Sequence, residues 1–465
     1  MNTTALLRRA GIAAVLFAAP AAAQAVPDAH YTLTREIYRE LVETNTAEPN
    51  GTTQVAEYLA GRLREAGFPD EDVRVVGPDE KHGNLIARLR GRGAGRPVLM
   101  LAHLDVVDAR PEDWSTDPFV LTEQDGWFYG RGSVDNKAGA AILVANLIRL
   151  HREGLRPAHD LIVLLTSGEE TDFAYGVEYV FKNHRPLVDA ELALNTDAGT
   201  SILRDGRPLI LGVQASEKTY LSFRLTATDS GGHSSVPRAG NPIERVAAAL
   251  TRLAQHRFPI HPSEITRGYF LSSSRLDSGV VAQEKRAVGT GAADSATLER
   301  LAARDPWYNA LLRTTCVATQ LEGGHAENAL PQRAAAVVNC RILPEEDPAA
   351  VERALREVIA DTQVTLEQIA PPVVGPASPL RPDVMQAIER TTAELFGSAL
   401  VMPEMSAGAT DGVIVRNQGV PTYGVSALFL PEGEERAHGR DERVGVASFR
   451  NAIEFWYRLM RRMGG

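Results

Sequence analysis

Short apolar segments alternate with amphipathic segments over much of the first half of the chain, and this alternation constrains the fold more than any other feature of the sequence. The apolar segments read as strands: NLIARLR, RPVLMLAHLDVV, DLIVLLTSGEE and AELALNTDAG. Two of the segments between them read as helices: NKAGAAILVANLIRLHREG and VEYVFKNHRPL. Such alternation is typical of a mainly parallel sheet that is covered by helices on both faces. We therefore predict an α/β fold for this part of the chain.

The order of the segments changes near residue 214. From there, strand-like and helix-like segments follow in the order β-α-β-β-α-β: YLSFRLTATDS, PIERVAAALTRLAQH, TTCVATQLEG, AAAVVNCRIL, DPAAVERALREVIAD and QVTLEQIA. This is the order of a ferredoxin-like unit, which is compact enough to be inserted into a larger domain. We predict an inserted domain at 214–372, between the two parts of the α/β domain at 26–213 and 373–465. Residues 257–313 interrupt the insert with Gly/Ser/Asp-rich stretches and are expected to form an excursion on the surface.

The N-terminal segment, MNTTALLRRAGIAAVLFAAPAAAQAVPD, has the pattern of a secretory signal. Arg8 and Arg9 precede an apolar run that ends in small residues, and cleavage is expected after Ala25. An uncleaved anchor is the alternative, but the apolar run is shorter than the ~20 residues that span a bilayer. No later segment reaches that length. We therefore expect residues 1–25 to be a signal peptide and the protein to be secreted into a bacterial periplasm, without a stable membrane span after cleavage.

The balance of charges argues against one class of partner. The 465 residues include 49 Lys and Arg against 59 Asp and Glu, which gives a net charge of −10. Nucleic-acid binding depends on neutralising phosphates with an excess of basic side chains. We therefore expect no nucleic-acid partner.

Cys316 and Cys340 are the only cysteines of the chain, so a cysteine-based zinc site is excluded. They fall on consecutive predicted strands, at equal distances from the turn that joins them. Directly opposed cysteines could form a disulfide in an oxidising compartment. Two buried free thiols are an equally compatible interpretation.

Polar residues that suit metal ions follow the last apolar positions of several predicted strands. In chain order they are His103, Asp105, Asp135, Glu169, Glu170 and Asp197, and His438 lies near the end of the chain. In open α/β sheets, sites form outside the carboxyl ends of the strands. Each feature alone is weak, since paired glutamates usually start a solvated helix and a late histidine is usually structural or exposed. Together, two imidazoles and three carboxylates suit a pair of zinc ions. One of the carboxylates must bridge the two ions.

Several longer motifs occur in a characteristic order: LAHLDVV, Glu112-Asp113-Trp114 to Asp117-Pro118-Phe119, YGRGSVDNKAG, TSGEE, NTDAG, SGGHSSVP, EGGHAENALP, NCRILP, GATDG and AHGRDERV. In this order they resemble the M20 family of dinuclear zinc peptidases and amidohydrolases, over essentially the whole mature chain. The segments RTTCVATQLEGGHAENALP and AHGRDERV are most similar to the carboxypeptidase S and N-acyl amino acid hydrolase branch. The resemblance implies a dizinc catalytic domain and an inserted ferredoxin-like domain that serves as a lid or in dimerisation.

The resemblance also implies a ligand set for two zinc ions per chain. His103 and Asp197 would bind one ion. Glu170 and His438 would bind the other, and Asp135 would bridge the two. The family often has a cis peptide after its bridging aspartate, so Asp135–Asn136 is a candidate for this uncommon geometry.

Two further carboxylates would act beside the ligands. Asp105 would accept the second ring N–H of His103 and thereby fix its tautomer. Glu169 would be the general base that takes a proton from the attacking water and delivers it to the leaving amine.

The resemblance assigns substrate-binding roles to residues of the insert and of the C-terminal part. His233 would polarise the substrate carbonyl, often in the site of a neighbouring subunit. Asn328 and Arg341 would hold the carbonyl and the terminal carboxylate. Without the resemblance, these three residues would be read as a capped turn, an Asx turn and a surface salt bridge. The far wall of the pocket would include Ser406, Gly408 and Thr410, whereas His325 is expected to be a loop residue.

These features predict an exported zinc-dependent hydrolase that cleaves an amide bond and releases a C-terminal amino acid from peptides or N-acyl amino acids. A dipeptidase or a desuccinylase-type amidohydrolase is the alternative within enzymes. A non-catalytic binding protein on the same fold is the alternative from another class, but it predicts lost ligands, and all of them are present. The resemblance is compatible with a homodimer.

Overall fold

The computed structural model describes residues 26–465, so the predicted signal peptide lies outside the described residues. The described residues form fourteen α-helices: α1 (Asp28–Glu43), α2 (Thr53–Glu65), α3 (Lys137–Arg152), α4 (Val177–Asn183), α5 (Arg185–Val188), α6 (Pro242–Gln255), α7 (Glu264–Ser273), α8 (Gly279–Gly289), α9 (Ser295–Arg304), α10 (Pro306–Leu312), α11 (Pro348–Ile359), α12 (Pro382–Phe396), α13 (Asp411–Asn417) and α14 (Val446–Gly464).

The same part of the chain forms nineteen strands: β1 (Val73–Val76), β2 (Asn84–Leu89), β3 (Val98–His103), β4 (Thr122–Gln124), β5 (Trp127–Tyr129), β6 (Leu161–Thr166), β7 (Leu192–Asn195), β8 (Ser201–Arg204), β9 (Arg207–Glu217), β10 (Thr219–Thr228), β11 (Gly232–His233), β12 (Thr315–Gly323), β13 (Ala329–Leu330), β14 (Arg333–Ile342), β15 (Val364–Gln368), β16 (Leu400–Ser406), β17 (Thr422–Gly424), β18 (Leu430–Pro431) and β19 (Arg443–Gly445).

A ten-stranded sheet forms the centre of the molecule, with strand order β1-β2-β6-β3-β7-β17-β9-β8-β18 and with β16 beside β9. Strands β6, β3, β7 and β17 run parallel to their neighbours in this series. Strand β3 is buried along its whole length because its side chains alternate between two apolar clusters. Met100 packs in the cluster that contains α3, and Leu101 packs in the cluster that contains α4. The predicted α/β fold with a mainly parallel sheet is therefore confirmed.

A separate four-stranded antiparallel sheet has the order β12-β14-β10-β15. Helices α6 and α11 pack against it through Val246, Ala249, Val351, Leu355 and Ile359. Its elements follow one another along the chain as β-α-β-β-α-β, which is the ferredoxin-like order that the sequence predicts. Only Lys218 separates the end of β9 from the start of β10, so the two sheets are joined directly.

Residues 257–313 do not form the expected excursion on the surface; that expectation is wrong. They form helices α7 to α10, and their apolar residues Phe270, Leu301 and Leu312 are buried in the same cluster as the core of the large sheet. Helix α7 approaches β16 so closely that a Cβ at Gly268 would lie 2.6 Å from Pro403 Cγ. These four helices are short and are separated by turns that contain Gly and Ser. Their hydrophobic periodicity is therefore too weak for the sequence alone to predict them.

The two cysteines are bonded to each other. Cys316 of β12 lies directly opposite Cys340 of β14, with a Cα–Cα distance of 4.1 Å. The alternative of two free thiols is therefore excluded. In the part of the chain that the structure describes, no helix is both long and apolar enough to cross a membrane.

We predict that replacing both cysteines, Cys316→Ser with Cys340→Ser, lowers the free energy of unfolding by about 3 kcal/mol, because the bond restricts a loop of 24 residues in the unfolded chain. Denaturant unfolding of the oxidised protein and of the double variant measures this difference. Wild-type protein reduced with dithiothreitol is the control and should behave like the variant. Equal midpoints for all three samples would contradict the prediction.

Candidate dinuclear metal centre

One carboxylate contacts two imidazoles at the carboxyl edge of the large sheet. His103 is the last residue of β3, and its Nε2 lies 2.8 Å from Oδ1 of Asp135. Nε2 of His438 lies 3.1 Å from the other oxygen of the same carboxylate. Asp135 therefore presents one oxygen to each imidazole, which is the placement that a carboxylate bridging two cations requires.

The remaining predicted ligands lie on the outer sides of this pair. Oδ1 of Asp197 is 3.5 Å from Nε2 of His103, and Oε1 of Glu170 is 3.0 Å from Nε2 of His438. The contacts thus group the residues as the family resemblance implies. Glu169 is also in the cluster, because one ligand atom each from His103, Glu169 and Asp197 lie within 4.8 Å of one another.

The chemistry of this cluster fits two divalent cations. Burial raises the pKa of Asp197 to about 7 despite the neighbouring His103, and it raises the pKa of Glu169 well above its ordinary value, with the Asp197 charge adding to the effect. Buried carboxylates are costly without positive charge beside them. Imidazole nitrogen and carboxylate oxygen are ligands that zinc accepts. The side chain of His438 is 56% exposed, so the cluster opens to solvent on that side.

The loop that carries Asp135 is held by a fully buried carboxylate, Glu442. Its oxygens accept hydrogen bonds from Nη1 of Arg131 at 2.8 Å and from the backbone N–H groups of Gly132 at 3.0 Å and Val134 at 2.7 Å. The backbone N–H of Asp135 donates to it as well, at 3.1 Å. Arg131 belongs to the motif YGRGSVDNKAG and Glu442 to AHGRDERV, but the sequence pattern gives neither of them a role. Their pairing over some 300 residues leaves no local pattern.

The residue after Asp135 fixes a second ligand. The Asp135–Asn136 peptide is cis, as predicted. Nδ2 of Asn136 donates to Asp197 Oδ1 at 3.3 Å, and Oδ1 of Asn136 accepts from the Thr196 hydroxyl at 2.6 Å. A Cβ at Gly139 would lie 2.2 Å from the Thr196 hydroxyl oxygen, so this packing requires glycine.

Asp105 acts differently from the expectation. Nδ1 of His103 is hydrogen-bonded to the backbone carbonyl oxygen of Asp105 at 2.9 Å, whereas the nearer carboxylate oxygen is 3.8 Å away. The carboxylate instead accepts the backbone N–H groups of Glu169 at 3.3 Å and Glu170 at 3.0 Å. Asp105 thus holds the imidazole through its main chain and orients the turn with both glutamates through its side chain.

A cavity of about 510 Å³ opens beside the cluster, and Asp135 and Asp197 are part of its lining. Ser406, Gly408 and Thr410, which the resemblance places on the far wall of the pocket, line the same cavity. The hydroxyl of Thr410 donates to the buried Glu217 at 2.7 Å. This hydrogen bond ties Thr410 to the end of β9.

Arg341 lies on β14 and reaches this segment. Its Nη1 donates to the carbonyl oxygen of Ala407 at 2.8 Å, and its guanidinium carbon lies 4.6 Å from the ring centroid of Tyr220. Burial lowers the pKa of Arg341, and no described Asp or Glu side chain forms an ion pair with it. The alternative interpretation as a surface salt bridge is therefore wrong. The guanidinium has donors left for an anionic ligand.

The structure does not bring His233 and Asn328 into the cluster. They lie at the two-stranded sheet of β11 and β13, where Ser234 N–H donates to the carbonyl oxygen of Asn328 at 3.1 Å. His233 is exposed, and its Nδ1 accepts from Ser235 N–H at 3.2 Å. Within residues 26–465, neither side chain lines the cavity or is hydrogen-bonded to a ligand residue. His325 lies on the exposed connection between β12 and β13.

Comparison with known sequences gives a family. The model of peptidase family M20/M25/M40 matches residues 99–462, well over half of the chain. The N-fatty-acyl-amino acid synthase/hydrolase of Homo sapiens is 27% identical over 436 residues, which are 90% of this chain and 84% of that protein. A probable succinyl-diaminopimelate desuccinylase of Staphylococcus aureus is 26% identical over 415 residues, 88% of this chain and 92% of that one.

Solved structures share the fold. An M20 family metallo-carboxypeptidase from Sulfolobus solfataricus superposes with a TM-score of 0.67 at 19% identity, covering 93% of this chain and 99% of the other. A dinuclear metal-binding peptidase of the M20 family from Bacillus subtilis gives a TM-score of 0.61 at 15% identity, covering 94% of this chain and 98% of the other. Together with the family match and the ligand cluster, these similarities establish that the chain belongs to peptidase family M20/M25/M40 and is a metallohydrolase.

Proposed function

We propose that the protein is an exported, zinc-dependent hydrolase that cleaves an amide bond and releases a C-terminal amino acid from N-acyl amino acids or peptides. The observation that carries this proposal is the half-buried guanidinium of Arg341, which has no carboxylate partner among the described residues. It lies against Ala407, which lines the same cavity as Asp135 and Asp197. A guanidinium binds a carboxylate through two parallel hydrogen bonds. A substrate with a free carboxylate next to its scissile amide bond satisfies it.

Glu169 would move the proton during the reaction. As the water oxygen forms a bond to the carbonyl carbon, the Glu169 carboxylate takes a proton from that water. The same group returns the proton to the nitrogen as the C–N bond breaks, so the products are a carboxylic acid and an amine. Two zinc ions would be held by His103, Asp135, Glu170, Asp197 and His438. They would supply Lewis acidity toward the carbonyl oxygen and the water.

His233 would complete the site from a second subunit. It is exposed and stands outside the cavity of its own chain. The outermost strand of the four-stranded sheet, β12, offers an interface, because Val317 and Leu321 are 61% and 68% exposed and the outer edge of the strand is unpaired within the described chain. Exposed apolar edge strands favour pairing with another copy. We propose a homodimer that forms through this edge.

Export to the periplasm is supported by two features. The segment before residue 26 has the sequence pattern of a secretory signal. The disulfide between Cys316 and Cys340 is of a kind that persists in oxidising compartments such as the bacterial periplasm.

The similarity to the succinyl-diaminopimelate desuccinylase covers 88% of this chain. It favours a desuccinylase-type substrate, which is also a linear amide, as the second candidate. Product analysis with the metal-loaded enzyme separates these candidates. The panel should contain N-acyl amino acids, dipeptides, longer peptides and N-succinyl amino acids, each with a free and with an amidated C-terminal carboxylate. The proposal requires that amidation abolishes cleavage and that the released product is the C-terminal amino acid. Equal cleavage of free and amidated substrates would overturn it.

We predict that a chelator abolishes activity and that zinc restores it. The side chains at the cluster are of the types that bind zinc, and without the ions they supply no Lewis acid. Elemental analysis of the active protein should give about two metal ions per chain. Full activity in a rigorously metal-free sample would contradict the assignment.

We predict that Glu169→Gln lowers kcat by at least about 100-fold while the metal content stays nearly unchanged, because this carboxylate carries the proton. Glu170→Gln should instead lose metal. The matched control is Glu178→Gln, an exposed glutamate of the following helix. If Glu169→Gln keeps most of the wild-type kcat, the distinction between the two glutamates is wrong.

We predict that two inactive variants, His233→Ala and Glu169→Gln, restore activity when they are mixed under conditions that allow subunit exchange. In a mixed dimer, one site combines an intact Glu169 with the intact His233 of the other chain. With equal amounts, about a quarter of all sites become complete. No recovery despite proven exchange would mean that His233 acts in its own chain or has no catalytic role.

A further inference from the structure

The cavity beside the metal cluster continues to a polar end that the hydrolytic reaction does not use. This end contains Glu404 of β16 and Gln214 of β9, which are direct neighbours in the parallel register of the two strands. Glu404 is 9% exposed and Gln214 is 2% exposed. Both residues belong to the lining of the cavity.

Among the described residues, no basic side chain forms an ion pair with the Glu404 carboxylate. The carboxylate accepts the backbone N–H of Thr200 at 2.9 Å. Burial raises the pKa of Glu404 to about 7, because the hydrogen bonds from Thr200 offset only part of the cost of desolvation. The backbone makes room for this carboxylate, since a Cβ at Gly212 would lie 2.2 Å from it. A buried, unpaired carboxylate of this kind needs a donor from elsewhere.

A second acceptor stands beside this carboxylate. Among the described residues, Oε1 of Gln214, which lies opposite Glu404 in the strand register, is buried without a hydrogen-bond partner. A buried polar atom without a partner costs about 1–3 kcal/mol, so such atoms in a cavity point to a ligand group that satisfies them. An amide oxygen and a carboxylate are acceptors only, and the group must therefore be a donor.

The charge of the lining favours a cation. The acidic residues that line the cavity are Asp135, Asp197, Glu404, Glu432 and Glu435, and no Lys, Arg or His among the described residues lines it. The lining also includes apolar side chains, among them Ile202, Leu428 and Leu430. Trp307 adds an aromatic ring from α10. These surroundings suit an aliphatic chain that ends in a charged donor.

We propose that the Glu404–Gln214 end of the cavity binds a protonated amino group at the end of an aliphatic chain, so that the enzyme selects amide substrates with a cationic terminus. This inference rests on the proposed function for its substrate but not for the binding site itself. An ammonium group has three donors, of which one can serve the carboxylate of Glu404 and another the amide oxygen of Gln214. Its charge also offsets the cost of burying the Glu404 carboxylate. A neutral hydroxyl would supply one donor and no charge.

The competing explanation is purely structural: Glu404 could serve only to accept Thr200 N–H. The substitution Glu404→Gln separates the two, because the amide keeps an oxygen acceptor for Thr200 and removes the negative charge. The matched control is Glu389→Gln, an exposed carboxylate on α12.

The test is a calorimetric titration of the metal-loaded protein with ω-amino carboxylates from 4-aminobutanoate to 8-aminooctanoate and with alkanoates of the same number of heavy atoms. At the length that spans the cavity, the amino compound should bind the wild type about 10-fold or more tightly than its alkanoate. Glu404→Gln should lose this ratio and Glu389→Gln should keep it. Both affinities come from the same sample, so a partly folded variant does not change the ratio. Equal affinities at every length in the wild type, or an unchanged ratio in Glu404→Gln, overturn the proposal.

Kinetics distinguish this failure from a failure of the proposed function. The pairs are N-(6-aminohexanoyl)-alanine with N-heptanoyl-alanine, and Nα-acetyl-lysine with Nα-acetyl-norleucine. A higher kcat/KM for the amino member of either pair, lost in Glu404→Gln, supports the inference and shows on which side of the scissile bond the chain lies. Cleavage of both members of each pair at equal rates overturns the inference and leaves the proposed function standing. If no member is cleaved, the proposed function fails, and the titration alone decides on the binding site.

Discussion

The arrangement of the candidate metal centre depends on the hydrogen bonds that the buried carboxylate of Glu442 accepts. This carboxylate accepts hydrogen bonds from Arg131 and from backbone N–H groups of the loop that ends at Asp135. Burial of a charge is costly, and here several donors from one loop offset the cost. Glu442 follows His438 by four residues, and the next residue, Arg443, pairs with Tyr129 in the small sheet of β19 and β5. The same contact thus places the bridging carboxylate and the second imidazole relative to each other.

The large sheet positions the other residues of the candidate metal centre. The parallel strands β3, β6 and β7 end at one edge, which brings His103, the Glu169–Glu170 turn and Asp197 together. Ligands on the ends of buried strands are held more precisely than ligands on free loops. Two charged groups without an ion-pair partner among the described residues lie near this cavity: the guanidinium of Arg341, which donates to Ala407 of the lining, and the carboxylate of Glu404, which belongs to the lining. A substrate with a carboxylate and a separate cationic group would match this polarity.

Much of this organisation could be predicted from the sequence. The alternation of strands and helices predicts the parallel sheet, since these periods reflect local backbone geometry and burial. The polar residues that follow the strands predict a cluster, since the ends of parallel strands meet at one edge. The family resemblance adds residues that no periodicity would single out, among them His438 and Arg341. In the structure, His438 contacts Asp135 and Glu170, and Arg341 donates to the carbonyl oxygen of Ala407 in the lining of the cavity.

The order of most strands and helices and the chemical types at the strand ends follow from the sequence, because they depend on residues close together in the chain. The pairing of Cys316 with Cys340, the burial of helices α7 to α10 and the acceptor for Nδ1 of His103 arise only from tertiary contacts. The contacts of Glu442 and the cavity end at Glu404 arise in the same way. These features join residues that are far apart in the chain, and their energies arise from strand register and from burial, which no local pattern of residues encodes.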